Sequence, residues 1–459
     1  MKLHKIFSVI LMSGIAAAVW ADGPVQVKVD MGAACGEIKS GLTGVSQGGN
    51  AGSYMKDGVV AAMKPLPVGM VRLEMVTGTN IYNIFNPDTG KWDWTRLDRE
   101  IENIKNSGAE VVINLFGTPS WMVSDPKAKV PAFTPPRDYK AYAEFCAAIV
   151  KHVNKEKNYG IKYWEIWNEP SGNFFWTAWK PNKETLFALY DVTAKRIKTE
   201  DPAILVGGIG DNSQYSEHYR DFFQYALKHK TPVDFLTLHW YGEWNKEGIV
   251  NPKLAAVYAA TVDKLYRQAF GHGAPIFYSE WNLIAESKDR YPAVQTAAYM
   301  GTALAGMQES PLIQGAMFFR VVPYRDPASS LLDRENKHRV AWRVLKMFSM
   351  LPSRQVKSVS TAADISVVAG GDRQAGAAML SRYKVEAGSA PVSVALEWSG
   401  MMPGKYQVKI YQENAKSAAQ VMELEPVETK EIDAEAGKLR VVLTLDPMAV
   451  MLVTAEAAR

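Results

Sequence analysis

Cysteine is scarce in this chain, with only Cys35 and Cys146 in 459 residues. At most one disulfide can form, which excludes a fold stapled together by disulfides. Cys146 lies in the apolar helical pattern around Phe145 and Ile149, where a buried thiol is expected. The histidines and cysteines show no HxxxH or CxxC spacing, so the sequence makes no case for a zinc site and no cofactor is expected. Charge of one sign is also lacking: 52 basic against 48 acidic side chains give a formal +4, no footprint for nucleic acid or for an acidic membrane surface. Long apolar runs are absent except Ile6 to Ala18, which is too short to span a bilayer. With Lys2 and Lys5 before it and Val19-Trp20-Ala21 after it, residues 1–21 read as a signal peptide. The expected mature chain starts near Asp22 with formal charge +2, no lipid anchor and no membrane contact, and is exported to the periplasm or the cell exterior.

What is present is a long alternation of short β-type runs with longer amphipathic ones. Eight strands are predicted near Leu42–Ser46, Gly69–Met75, Glu110–Phe116, Tyr163–Asn168, Ile204–Gly208, Val233–His239, Ile276–Glu280 and Gln314–Phe319. Helix-length patterns such as Leu97–Ile104, Tyr139–Val153, Glu184–Ile197 and Thr296–Met307 separate most of them. Eight such units fit an α/β fold of the closed (β/α)8, or TIM, barrel type over residues 41–352. No Gly-rich phosphate loop or dinucleotide fingerprint follows any strand. A last helix, Val340–Met350, precedes a change of texture at Pro352. Beyond it Ile365–Val368, Val392–Trp398, Tyr406–Tyr411 and Leu439–Leu445 are β-type runs without helices, which predicts an antiparallel β-sandwich over 353–459. The alternating Val25–Asp30, in an N-terminal segment 22–40, is a candidate to pair with that sheet.

Two short segments carry the chemistry: Trp167-Asn168-Glu169-Pro170 and Ser279-Glu280-Trp281-Asn282. Each follows a β-branched and aromatic run, so each glutamate is placed at the end of a strand, the fourth and the seventh. In a barrel of this kind the loops after the strands build one functional face. Two glutamates 111 positions apart are thereby brought to the same face. A pair of carboxyl groups, one to protonate a leaving oxygen and one to attack or activate water, is what glycoside cleavage requires. Pro170 is expected to hold Glu169 extended, and strict alternation would send Asn168 and Glu169 to opposite sides unless the strand ends or bulges there.

The chain resembles the clan A retaining glycoside hydrolases. Within them it is most similar to glycoside hydrolase family 39, the β-xylosidase and α-L-iduronidase family. The resemblance rests on Asn86-Pro87-Asp88-Thr89-Gly90-Lys91-Trp92-Asp93-Trp94, Leu97-Asp98, Thr118-Pro119-Ser120-Trp121, Trp167-Asn168-Glu169-Pro170 and Phe175-Trp176. It implies Glu169 as general acid/base, Glu280 as nucleophile, Asn168 as a partner of the sugar 2-hydroxyl, and Arg72 as electrostatic support for the nucleophile. His239 and Tyr241, two apart at the end of strand six, match the clan's histidine and tyrosine. Trp121, Trp176 and Trp281 are candidate sugar platforms, among a larger aromatic supply that includes Trp179, Trp240 and Tyr324. One departure stands out: strand eight ends Met317-Phe318-Phe319-Arg320, where many clan members place tryptophan. The expected substrate is an oligo- or polysaccharide. The rival expectations are an endo-acting hydrolase of an exopolysaccharide or a plant or algal wall polymer, and a catalytically silent carbohydrate-binding protein.

Overall fold

The computed structural model describes residues 23–47, 53–78, 81–171, 174–212, 216–242, 250–283, 292–323 and 330–458. The expected leader 1–21 and Tyr324 lie outside the described residues.

Eight strands close a parallel barrel: Gly44–Ser46, Met70–Leu73, Glu110–Leu115, Tyr163–Ile166, Leu205–Asn212, Phe235–Trp240, Ile276–Trp281 and Ile313–Phe319. Each pairs with the next and the eighth with the first. The strands are rich in Val, Ile and Leu and buried on both faces, as a sheet covered by helices demands. Among the described residues one helix follows each strand, from Asp57–Met63 to Val340–Ser349. The third, Tyr139–Val150, starts where the Asp138 carboxylate accepts from the Lys140 and Ala141 amides, satisfying two of the free donors of the first turn. The first strand is shorter than expected because Ser40–Thr43 forms a 3-10 turn ahead of it. The fourth ends at Ile166, before the Trp167–Glu169 stretch.

The second domain is a nine-stranded, largely antiparallel sheet in the order Glu428–Ala434, Gly404–Glu413, Met448–Ala457, Ala375–Tyr383, Ile365–Gly371, Arg354–Ser360, Val25–Glu37, Val392–Ser399, Lys438–Leu445. It encloses a core of its own, with Val27, Val29, Leu396, Trp398, Leu443 and Val453 fully buried or nearly so. Val25–Glu37 is seated inside the sheet, antiparallel to Arg354–Ser360 and parallel to Val392–Ser399.

The two domains meet along the helix Ala293–Glu309, whose alanines and glycines let the sheet press close. A methyl added at Gly301 would stand 2.7 Å from Ser381 Oγ. The fully buried Arg343 of the last barrel helix adds a second tie, with Nε donating to Glu413 Oε1 at 2.5 Å and Nη2 to Glu413 Oε2 at 3.0 Å. Cys146 is buried, Cys35 is exposed and both are free thiols. Among the described residues no helix is long and apolar enough to cross a membrane.

Candidate active site

At the carboxyl ends of the barrel strands a buried polar network is organised by Arg72, which has no exposed surface. Its Nε donates to Glu165 Oε2 at 2.5 Å, Nη1 to Glu74 Oε1 at 2.6 Å and to Glu280 Oε1 at 2.7 Å, and Nη2 to Asn168 Oδ1 at 2.6 Å. Four acceptors from the ends of three strands, the second, fourth and seventh, are thus tied by one planar donor fork, a geometry that a lysine ammonium does not reproduce. Asn114 supports the frame from below, its amide donating to Glu165 Oε2 and to the Trp167 carbonyl.

The chain reaches Glu169 by leaving the strand. Trp167 has φ +71° and Glu169 φ +38°, both left-handed, so Glu169 is not held extended before Pro170 as the sequence suggested. Left-handed backbone is unfavourable for residues with a Cβ, and doubly so ahead of proline. Tertiary bonds override that preference: the Trp167 amide donates to the Leu115 carbonyl, the Glu169 amide to the Gly210 carbonyl, and the Trp167 indole to the Phe175 carbonyl. These turns break the period of two and bring Asn168 and Glu169 to the same network. Gly210, itself at φ +60°, lies under it, where a Cβ would stand 3.1 Å from Glu165 Oε1 and 3.4 Å from His239 Nε2.

Glu280 is re-aimed in a comparable way. The pairing register shifts between Tyr278 and Glu280, setting Glu280 opposite His239. His239 Nδ1 lies 2.7 Å from Glu169 Oε1 and 3.6 Å from Glu280 Oε2, while its Nε2 meets Ser279 Oγ at 3.2 Å. The Tyr241 hydroxyl donates to Glu280 Oε2. One oxygen of Glu169, one of Glu280 and a ring nitrogen of His239 all lie within 4.8 Å of one another. These three side chains could ligate a cation, but Glu280 already accepts from Arg72 and Tyr241, and Glu169 Oε1 is joined to the imidazole.

The electrostatics of the two glutamates differ. Burial favours the neutral form of both, and at Glu169 it prevails over the bond to His239, so the pKa is raised. At Glu280 burial is outweighed by the charges of His239 and Arg72, with help from the Tyr241 hydroxyl, and the pKa falls to about 2. His239 is raised: burial opposes its charge, but the Glu280 charge and the bond to Glu169 win. The Glu169 side chain retains 23% exposure against 6% for Glu280, so the acid of the pair is the one that faces outward.

The tryptophans divide. Trp176 has no exposed surface; its indole donates to Thr185 Oγ1 at 3.0 Å and its ring stands edge-on to Trp167. Trp281 is equally buried, edge-on to Phe318 and near Tyr299 of the helix layer, because alternation along the strand turns it outward when Glu280 turns inward. Neither offers a face to a sugar, which corrects their assignment as platforms. Trp121 is only half-buried, packs on Phe85, and lines a small surface cavity of about 70 Å³ with Pro119, Asn83 and Pro87. Glu74, Glu165 and Asn114 join the site without having been singled out in the sequence. Arg72-Leu73-Glu74 was a readable signal, since residues two apart in a strand share a face. So was Glu165, a lone charge in an otherwise apolar buried strand.

Residues 78–379 match the family described as Glycosyl hydrolases family 39. Over 113 residues the chain is 36% identical to a beta-xylosidase of Geobacillus stearothermophilus, a match covering 24% of this chain and 22% of that protein. The aligned stretch thus spans about a fifth of the curated relative's length. Among solved structures, a monomeric beta-xylosidase from Caulobacter crescentus CB15 superposes with a TM-score of 0.79 at 19% identity, over 95% of this chain and 100% of the other. The GH39 enzyme from Xanthomonas axonopodis pv. citri gives the same TM-score and identity over 97% and 100%. At that identity the two structures speak to the fold, while the family match covers more than half of the chain and takes in both glutamates: the chain belongs to glycosyl hydrolase family 39.

Proposed function

We propose that the protein is an exported retaining glycosidase with Glu280 as nucleophile and Glu169 as acid/base, acting on an oligo- or polysaccharide with a β-xylosidase-like habit. The observation that carries this reading is the pair of glutamates, with oxygens within 4.8 Å and opposed protonation preferences. Retaining enzymes hold their carboxyl groups about 5–5.5 Å apart, whereas inverting ones leave about 6.5–9.5 Å for a water. Glu280, held ionised, attacks the anomeric carbon and forms a glycosyl-enzyme ester while the protonated Glu169 delivers its proton to the departing oxygen. Glu169, now a base, takes a proton from the water that cleaves the ester. Arg72 fixes the Asn168 carbonyl and so points its NH2 away from the guanidinium, an orientation suited to a sugar 2-hydroxyl. The word beta-xylosidase in the names of two relatives supports the glycone, and the half-exposed Trp121 on the same face supports a longer polymer as a second reading.

The test is hydrolysis of a panel of aryl glycosides and of plant, algal and bacterial polysaccharides, with the product anomer followed by NMR and Glu280→Gln as control. A first product of unchanged anomeric configuration, lost in Glu280→Gln, is expected. An inverted product, or a Glu280→Gln variant as active as wild type, would overturn the assignment.

A further inference from the structure

Glu74 follows the second barrel strand and is 7% exposed. Its Oε1 accepts twice, from Arg72 Nη1 at 2.6 Å and from Ser46 Oγ at 3.3 Å. The same Arg72 nitrogen that holds Glu74 also holds Glu280. Glu74 Oε1 and Glu280 Oε1 sit 2.6 and 2.7 Å from that one nitrogen, which makes the two carboxyl groups near neighbours, and two carboxyl groups can bond to each other only when one of them carries a proton. Three carboxyl groups, of Glu74, Glu165 and Glu280, therefore meet a single guanidinium in a site almost closed to water. If all were ionised, at least one negative charge would stand uncompensated there even with His239 charged beside Glu280, which burial penalises by several kcal/mol per ion.

We infer that Glu74 stands beside Glu280 as a neutral carboxylic acid, donating its hydroxyl to the nucleophile and positioning it for attack. The inference rests on Glu280 being the nucleophile. With Oε1 occupied as an acceptor, Oε2 carries the proton. Among the described residues other groups also act on Glu74. Arg320, beyond the eighth strand, draws it towards ionisation; the phenols of Tyr82 and Tyr241 lie close enough to feel its charge. Burial and the Glu280 charge outweigh both arginines and hold the Glu74 pKa well above the ordinary carboxyl range. A bond donated to an ionised partner stabilises that ionised form, so Glu74 helps to keep Glu280 deprotonated. This is a positioning role: Glu74 acts on the sugar through Glu280.

The sign of one shift tests it. If Glu74 is a neutral donor, Glu74→Ala removes a stabilising bond and the acid edge of kcat/KM moves up. If Glu74 is an anion, the same change removes a repelling charge and the edge moves down. We expect an upward shift of about one pH unit, with kcat lowered about 10- to 100-fold and KM little changed. Glu74→Gln, which keeps a neutral donor, should bring the edge back near its original place and recover part of kcat. A downward shift in either variant overturns the inference. Infrared difference spectra of wild type minus Glu74→Gln at neutral pH give a reading independent of turnover. The carbonyl band of a protonated carboxyl group is expected, and its absence overturns the inference. A wild type that cleaves nothing counts against the glycosidase reading alone, because the infrared comparison still decides the state of Glu74.

Discussion

Arg72 and Glu280 stand 208 positions apart in the chain and 2.7 Å apart in space, joined through Nη1 and Oε1. The same guanidinium fixes Asn168 on the other side, so charge and orientation at the candidate nucleophile have one source.

Replacing Arg72 by lysine should therefore be far from conservative. An ammonium cannot serve four acceptors from a planar fork. The expected outcome of Arg72→Lys is a fall in kcat of about 100-fold or more, in the range found for losing an electrostatic donor in a water-poor site. Steady-state kinetics on the hydrolysed member of the glycoside panel would read it, and near-normal kcat would show that Arg72 is merely structural.

His239 should set the acid side of the pH profile. It is the leading influence that lowers Glu280, so His239→Gln should raise the Glu280 pKa from about 2 and carry the acid edge upward. Its bond also lowers Glu169, so the alkaline edge should rise too. Displacement of the whole bell to higher pH is the expected result of the kcat/KM profile; edges moving in opposite directions would contradict it.

Trp121 and Trp176 should fail in different assays. Trp121→Ala is expected to raise KM for longer substrates about 3- to 10-fold, the scale of one aromatic contact, with unfolding unchanged. Trp176→Ala removes a ring from the core and should cost about 3–5 kcal/mol of stability, seen in urea unfolding. An unaltered KM across substrate lengths would remove Trp121 from the binding surface.

A buried carboxyl away from the site offers a test of the fold. Glu100 is fully buried, accepts from the Tyr82 hydroxyl and the Tyr54 amide, and has its pKa raised by burial from 4.5 to about 7. The native state therefore holds this proton over pH values where the unfolded chain has lost it. Its contribution is fully present below pH 4.5 and fades as pH rises through 7, by about 3 kcal/mol in all. Glu100→Gln should flatten that part of the stability profile in denaturant titrations at several pH values. An unchanged slope would assign the dependence to other groups.

Much of this architecture was legible because it is written in periods. Alternating β and helical runs announced the barrel, and β-runs without helices after Pro352 announced the second sheet. The meeting of Arg72, Asn168, Glu169, His239, Tyr241 and Glu280 could be anticipated because strand ends share one face. The rest depended on directions that composition does not encode. Trp176 and Trp281 look like platforms beside their glutamates, yet which way a ring points past a strand end depends on turns such as Trp167–Glu169 and on register shifts such as the one before Glu280. Glu74 and Glu165 leave only a faint trace in the sequence, a spacing of two from Arg72 and a lone charge in an apolar run, whose meaning rests on the buried guanidinium that gathers them.

The strand Val25–Glu37 has a bearing on the order of assembly. It is made early, yet its two neighbours, Arg354–Ser360 and Val392–Ser399, are made more than three hundred residues later. At the ribosome it must wait, unpaired, until nearly the whole chain has emerged, and only then can the sheet close around it. The barrel and the sheet are therefore not separable halves. A piece cut before the barrel leaves the sheet with a gap between Arg354–Ser360 and Val392–Ser399, and a piece cut after it leaves a strand with nothing to pair with.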